Sequence, residues 1–221
     1  MAVQAFLVEA CVDSLESAQA AKRAGADRVE LCGSLAEGGI TPSAGLIEAC
    51  VEHAGLPVHV MIRPRGGDFV YSGAELDIMR RDIASARILG ARGVVAGLLT
   101  TDGRVDVELT RALVDHARPL PFTFHRAFDA TRDLDQALED LLETGADRVL
   151  TSGGAATAFD GIPELAGLVD AATGRIAVMA GGRIRERNVR RIAEETRVRE
   201  VHARCAAARR DDFARLVQAL R

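Results

Sequence analysis

No tryptophan occurs in the 221 residues, and aromatic residues of all kinds make up only 4%. Flat side chains for stacking nucleobases are therefore scarce. An excess of basic charge is missing too: 28 Lys and Arg face 32 Asp and Glu, for a net charge of -4. No overall positive field draws nucleic acid or an anionic lipid surface. Long hydrophobic runs are absent, none approaching the roughly 18 residues of a membrane span. The opening Met1-Ala2-Val3-Gln4-Ala5-Phe6-Leu7-Val8-Glu9 has no basic stretch and meets Glu9 too early for a secretory signal. These absences lead to the expectation of a soluble, cytoplasmic protein with neither nucleic acid nor membrane as partner. Residues 1–221 also lack any Pro/Ser-rich linker or low-complexity tract, and so read as one domain. Cysteine is sparse. Cys11, Cys32, Cys50 and Cys205 form no Cys-x-x-Cys pair, and in an intracellular chain they are reduced thiols, core residues or soft ligands before they are disulfides.

What is present is alternation. With 48% hydrophobic residues the chain can bury a sizeable core. Strand character appears at Phe6–Ala10, Arg28–Leu31, Pro57–Ile62, Gly93–Leu98, Pro121–His125, Arg148–Thr151, Arg175–Ala180 and Glu200–His202. Amphipathic helical stretches fill the intervals: Ser14–Ala24, Ser43–Ala54, Gly73–Leu89, Asp106–Ala117, Asp133–Thr144, Gly161–Ala172, Asn188–Glu195 and a last one at Asp211–Leu220. Ser14 and Ser43 are good N-caps. Three helix-to-strand junctions repeat one pattern around Gly25, Gly90 and Gly145, where glycine suits a left-handed C-cap. Eight β/α units imply an α/β fold with a parallel sheet, and this length suits a single compact (β/α)8 TIM barrel better than a doubly wound sheet. A Rossmann or flavodoxin-like sheet is the alternative, but Cys11-Val12-Asp13-Ser14 after the first strand is no glycine-rich phosphate loop.

Strand residues alternate between faces. In a barrel the outward set packs on helices, which Val8, Ala10, Val29, Leu31, Val58, Val60 and Ile62 suit. Glu9, Cys11, Glu30, Cys32, His59, Met61 and Arg63 are left facing inward. The first two strands share Val8-Glu9-Ala10-Cys11 and Val29-Glu30-Leu31-Cys32, so neighbours about 4.8 Å apart would bring two thiols and two carboxylates together. By the same rule Phe122 and Phe124 face out while Thr123 and His125 face in, and the last strand adds His202. Barrel active sites lie at the C-terminal ends of the strands, where Cys11, Cys32, Arg63, His125, Ser152 and His202 fall.

The segment Thr123-Phe124-His125-Arg126-Ala127-Phe128-Asp129 ends an apolar strand in three polar groups, each with a desolvation cost that pairing or a ligand must offset. Arg126 and Asp129 either pair with each other or serve the site. Glu9, Glu30 and Arg63 are either a structural ion-pair set or catalytic groups. Arg63-Pro64-Arg65-Gly66-Gly67-Asp68-Phe69 reads either as an anion clamp or as a loop rigidified by Asp68. Ser152-Gly153 and Gly181-Gly182 follow the sixth and seventh strands, where barrels often cradle phosphate, although tight turns explain such pairs equally. Met61 is a soft donor or core filling, and Cys50, on a helix among apolar neighbours, is a small hydrophobe.

Five motifs resemble the copper homeostasis protein CutC family over essentially the whole chain. They are residues 25–32 (Gly-Ala-Asp-Arg-Val-Glu-Leu-Cys), 37–43 (Glu-Gly-Gly-Ile-Thr-Pro-Ser), 61–69 (Met-Ile-Arg-Pro-Arg-Gly-Gly-Asp-Phe), 123–129, and 148–153 (Arg-Val-Leu-Thr-Ser-Gly). The resemblance implies a (β/α)8 barrel, a cytoplasmic location, a role in copper handling and a homo-oligomer. The chain departs from the family pattern where Arg183 follows Gly181-Gly182 and where Ala203-Arg204-Cys205 follows His202. Two functions are compatible with these residues. One is Cu(I) binding at the barrel mouth by Cys11 and Cys32 with help from Met61 or His202, since soft sulfur favours Cu(I). The other is acid/base catalysis on a small phosphorylated or carboxylated metabolite. There Arg63, Arg65, Ser152, Gly153, Gly181 and Gly182 would hold the anion, Glu9 or Glu30 would be the base and His125 the acid, with Arg126 and Asp129 beside them.

Overall fold

The structure is a computed structural model that describes residues 6–221. The first five residues, part of both the single domain and the segment read as lacking a signal, lie outside the described residues. Eight strands are present: β1 (Leu7–Val12), β2 (Arg28–Leu31), β3 (Val58–Met61), β4 (Gly93–Ala96), β5 (Phe122–Phe124), β6 (Arg148–Thr151), β7 (Ala177–Ala180) and β8 (Glu200–Arg204). All pair in parallel and in chain order, and β8 returns to β1 to close a barrel. The helices between and after them are α1 (Leu15–Arg23), α2 (Ala44–His53), α3 (Gly73–Ile88), α4 (Val107–Ala117), α5 (Leu134–Leu142), α6 (Ile162–Ala172), α7 (Glu186–Thr196) and α8 (Arg210–Leu220). This is a (β/α)8 TIM barrel. No helix among the described residues is long and apolar enough to cross a membrane.

Local chemistry fixes the helix ends. Ser14 and Ser43 accept the Ser17 and Leu46 amides as N-caps, and Ser72 forms a reciprocal capping box with Glu75. Gly25, Gly90 and Gly145 all take positive φ at the repeated junction (92°, 90° and 76°), a conformation that costs glycine alone little.

Strand ends differ from the sequence expectation in two informative places. β1 continues to Val12 and β8 to Arg204, because Ala10 pairs with Ala203 and Cys11 with Arg204; each strand supplies the hydrogen bonds that extend the other. β5 stops one residue before His125, which leaves the ladder to cap a 3-10 turn over Arg126–Ala130. His125 keeps an extended backbone, and its amide still donates to Ala96 O at 3.0 Å. The alternation of faces matches the sequence expectation. Val8, Ala10, Val29, Leu31, Val58, Val60, Ile62, Phe122 and Phe124 pack in the layer between barrel and helices. Cys11, Cys32, Met61 and Val95 form a separate apolar cluster with Leu35 against it, in the inward phase of their strands.

Candidate functional site at the barrel mouth

The interior is built in two tiers. In the lower tier, near the strand starts, Arg28 donates through Nε to Glu9 Oε2 at 2.5 Å and through Nη2 to Glu200 Oε2 at 2.8 Å. Arg148 binds the same Glu200 through Nε and, at 2.9 Å, through Nη2. Glu9 is wholly buried, yet its second oxygen meets His202 Nδ1 at 2.7 Å. Burial pushes the Glu9 carboxyl up, but the His202 hydrogen bond and the Arg28 charge outweigh it and hold the group well below the ordinary range. Glu200 is lowered in the same manner, its two arginines overcoming burial.

The upper tier opens on a cavity of about 350 Å³ at the C-terminal ends of the strands. Its lining includes Cys11, Glu30, Cys32, Met61, His125 and His202. One ligand atom each from Cys11, Glu30 and Cys32 lies within 4.8 Å of the others. The Cys32 thiol donates to Glu30 Oε2 at 3.4 Å, and His202 Nε2 stands 3.8 Å from that oxygen. Burial, which the His202 charge only partly offsets, pushes the Glu30 carboxyl well up, and its Oε1 has no partner among the described residues. The two thiols diverge. The contact with Cys32, aided by His202, holds Cys11 well below the ordinary thiol range against burial, and the same contact drives Cys32 up. His202 is raised: burial disfavours its charge, but Glu30, Cys11 and Glu9 surround it. The arrangement sets two thiols and a thioether against the carboxyl groups of Glu9 and Glu30, with the His202 imidazole between the two carboxyls.

The fold commits other expected residues to partners of their own. Both oxygens of Glu9 are committed below the cavity floor, one to Arg28 and one to His202. Arg63 lines the cavity, and its Nη atoms donate to the carbonyls of Glu37, Gly39 and Gly67 at 3.0, 3.0 and 2.7 Å. It ties the β2 and β3 loops together. Arg65 lies off the cavity, bound to Glu75 at 2.6 Å and to Asp68 at 3.0 Å. Asp129 is turned into the β6 loop, where its carboxylate accepts from the Ser152 and Gly154 amides and the Thr151 and Ser152 hydroxyls. That carboxylate fills the amide nest of the loop, and the Gly153 amide donates to Thr151 Oγ1. In the β7 loop the Gly181 amide donates to Thr151 O, and Gly182 O accepts from the Ala158 amide. None of Ser152, Gly153, Gly181 and Gly182 lines the cavity. Cys50 and Cys205 are buried, their thiols raised to about 11 by burial, and neither Cys205 nor Arg183 reaches the lining.

Arg126 stays at the rim. Its Nε pairs with Asp129 at 2.7 Å and its Nη2 donates to Ser152 Oγ at 2.8 Å. Three interior charges were not expected from the sequence: Arg28, Arg148 and Glu200. Each shares the inward phase of a residue already assigned or adjacent in register, Arg28 that of Glu30 and Glu200 that of His202, so extending the alternation to the first residue of each strand would have found them. Phe69 and Leu35 also line the cavity, but they come from loops, where no periodicity reveals them.

A parallel (β/α)8 barrel with two thiols and a carboxylate gathered at its mouth defines a class of TIM-barrel protein with a soft-donor site. The chain belongs to the CutC family, whose family model matches residues 6–207. It is 50% identical over 208 residues to the copper homeostasis protein cutC homolog of Homo sapiens, covering 94% of this chain and 76% of that protein. The Mus musculus homolog is 51% identical over 204 residues, 92% of this chain and 75% of the relative. The crystal structure of CutC from Streptococcus agalactiae superposes with a TM-score of 0.84 at 37% identity, over 89% of this chain and 97% of that one.

Proposed function

We propose that this CutC-family chain serves copper homeostasis by holding Cu(I) as cargo at the barrel mouth, through Cys11 and Cys32 with Met61 beside them. The observation that carries the reading is the convergence of the Cys11, Cys32 and Glu30 donor atoms within 4.8 Å on the cavity floor. The donor chemistry fits the ion. Two sulfurs, with the Met61 thioether in the same small apolar cluster, suit a soft monovalent cation, whereas hard divalent ions would ask for more oxygen. A lowered Cys11 thiol favours the thiolate that a metal requires. The competing oxygen-rich set of Glu9, Glu30 and His202 is closed, since Arg28 and His202 already hold Glu9. A reducing cytoplasm supplies Cu(I) and keeps the thiols free, so we place the protein there; the homo-oligomer implied by family resemblance belongs to the same reading, and sedimentation of the purified chain decides it. The acid/base alternative is weaker because its anion clamp, Arg63 and Arg65, is spent on loop carbonyls and carboxylates. A competition titration of Cu(I) against a chromophoric chelator tests the copper reading. Cys11→Ser/Cys32→Ser should bind at least about 100-fold more weakly than wild type, and equal affinities would sink it.

A further inference from the structure

The cavity is far larger than a bare ion needs. Its volume of about 350 Å³ lies within the range of small-molecule sites, roughly 300–1,000 Å³. Besides the soft donors, its lining carries a second chemistry, that of His125 and Arg126. His125 is only 4% exposed. Its Nδ1 accepts the Ala127 amide at 3.1 Å, which leaves the proton of the neutral ring on Nε2. That N–H is buried, belongs to a lining residue and has no partner among the described residues. A buried donor of this kind costs about 1–3 kcal/mol unless an acceptor meets it.

Beside it stands Arg126, also in the lining. Two of its nitrogens are held by Asp129 and Ser152, which fixes the guanidinium without long-range freedom. Its Nη1 has no hydrogen bond among the described residues. Phe69, Leu35 and Leu150 supply apolar lining, and the Phe69 ring leans on His125 with centroids 5.1 Å apart. The cavity thus offers sulfur donors, an apolar middle, and a cation with a neutral N–H donor.

We infer that His125 and Arg126 form a subsite for the carboxylate of a low-molecular-weight thiol, and that copper is exchanged with such a thiol acting as its carrier. The inference rests on the copper reading above. The carrier's thiol sulfur would contribute one further soft donor beside Cys11 and Cys32, while its carboxylate accepts from His125 Nε2 and Arg126 Nη1. The exchange involves no redox change: the metal remains Cu(I), a Cu–S bond to the carrier forms as its thiol proton passes to solvent, and on transfer the Cu–S bonds to Cys11 and Cys32 break and the protons these thiols lost on binding copper are regained from solvent. A carboxylate is favoured over a neutral acceptor because the Arg126 charge makes each hydrogen bond charge-assisted.

The test uses the full chain loaded with Cu(I) and two commercially simple probes in calorimetric titrations. 3-Mercaptopropionate carries thiol and carboxylate; cysteamine carries the thiol with an ammonium instead. We expect 3-mercaptopropionate to bind about tenfold or more tightly than cysteamine, with proton release to buffer. Arg126→Gln should bring the ratio of the two constants to within about twofold. Equal binding of the two probes by wild type overturns the inference, and so does a ratio that survives Arg126→Gln. If that variant fails to fold, the wild-type ratio together with Arg126→Lys, expected to keep an intermediate preference, decides. A chain that takes up no Cu(I) overturns the copper reading and this inference with it; Cu(I) uptake without discrimination overturns this inference alone.

Discussion

The two tiers of the barrel interior solve the burial of charge in opposite ways. Below, Glu9, Arg28, Arg148 and Glu200 form a closed chain in which every carboxylate meets a cation or an imidazole. The exception is His59, a neutral ring whose Nδ1 lacks a partner among the described residues. Above, Glu30 Oε1 and His125 Nε2 are buried without partners, and the thiols of Cys11 and Cys32 sit together in a cavity. Desolvation costs the same in both places. Where the protein itself supplies the compensation, the groups hold the barrel; where it withholds it, a ligand has something to gain.

The comparison breaks most sharply at Arg28. Arg28→Met removes the cation shared by Glu9 and Glu200, of which Glu9 is fully buried, and leaves Glu9 dependent on His202 alone. Removing one partner of a buried ion pair typically costs about 3–5 kcal/mol, so a large fall in the urea midpoint is expected. Cys11→Ser/Cys32→Ser should move that midpoint much less while abolishing tight Cu(I) binding. If the arginine change costs under about 1 kcal/mol, the lower tier is not the structural half of the molecule.

How much of this was legible depended on periodicity. β2 and β6 match the sequence reading residue for residue, because each is a short run after a glycine junction whose outward positions, Val29 and Leu31 or Val149, are apolar. The inward phase of Glu30, Cys32 and Met61 followed from the two-residue repeat, and so did their meeting. The loops were not legible. Nothing in the order Arg63-Pro64-Arg65 reveals that one guanidinium turns to the carbonyls of Glu37 and Gly39 across two loops while the other turns to Glu75 on α3. Nor could spacing show that Asp129, 22 to 25 residues ahead of its partners, would fill the amide nest of Ser152 and Gly154. Loop partners are set by tertiary closure, which leaves no local signature.

The next effect separates the tiers by pH. Burial, with Arg63 adding to it, lowers His125 from 6.5 to about 3, and burial lowers His59 to about 4. Both rings are neutral in the fold, whereas the unfolded chain protonates them below about 6.5. The unfolded state therefore holds more protons as pH falls, and stability declines by about 1.4 kcal/mol per pH unit for each ring until the folded rings titrate. Glu9 and Glu200, held below 4.5, keep their contribution above that value and lose it only below. Glu30 and His202 are raised and act with the opposite sign, so the clean quantity is the difference between wild type and His125→Asn. Between pH 6.5 and 4.5 wild type should lose roughly 2–3 kcal/mol relative to the variant, measured by urea unfolding at each pH. A flat difference across that window would mean that the ring is already solvated or charged, and would remove the uncompensated burial of the neutral N–H from which the carboxylate subsite is argued.

The smallest effect is also the most discriminating, because it applies one chemical change to both tiers. Gly93 opens β4 and Gly97 follows its last residue. A Cβ on Gly93 would lie 2.6 Å from His59 Nδ1, and one on Gly97 would lie 2.5 Å from His125 Nδ1 and 3.0 Å from the Ala127 side chain. Both contacts are too close for real atoms, so in each case an imidazole must yield. Crowding of this kind costs at the low end of roughly 1–3 kcal/mol, and similar losses of stability are expected for Gly93→Ala and Gly97→Ala. Their consequences for binding should part. Displacing His59 disturbs a ring outside the cavity lining, and the preference for 3-mercaptopropionate over cysteamine should survive. Displacing His125 tilts the N–H donor and strains the turn that carries Arg126, so the preference should fall towards unity. If both alanine variants lose it together, the two tiers are mechanically coupled through β4 rather than divided between stability and binding.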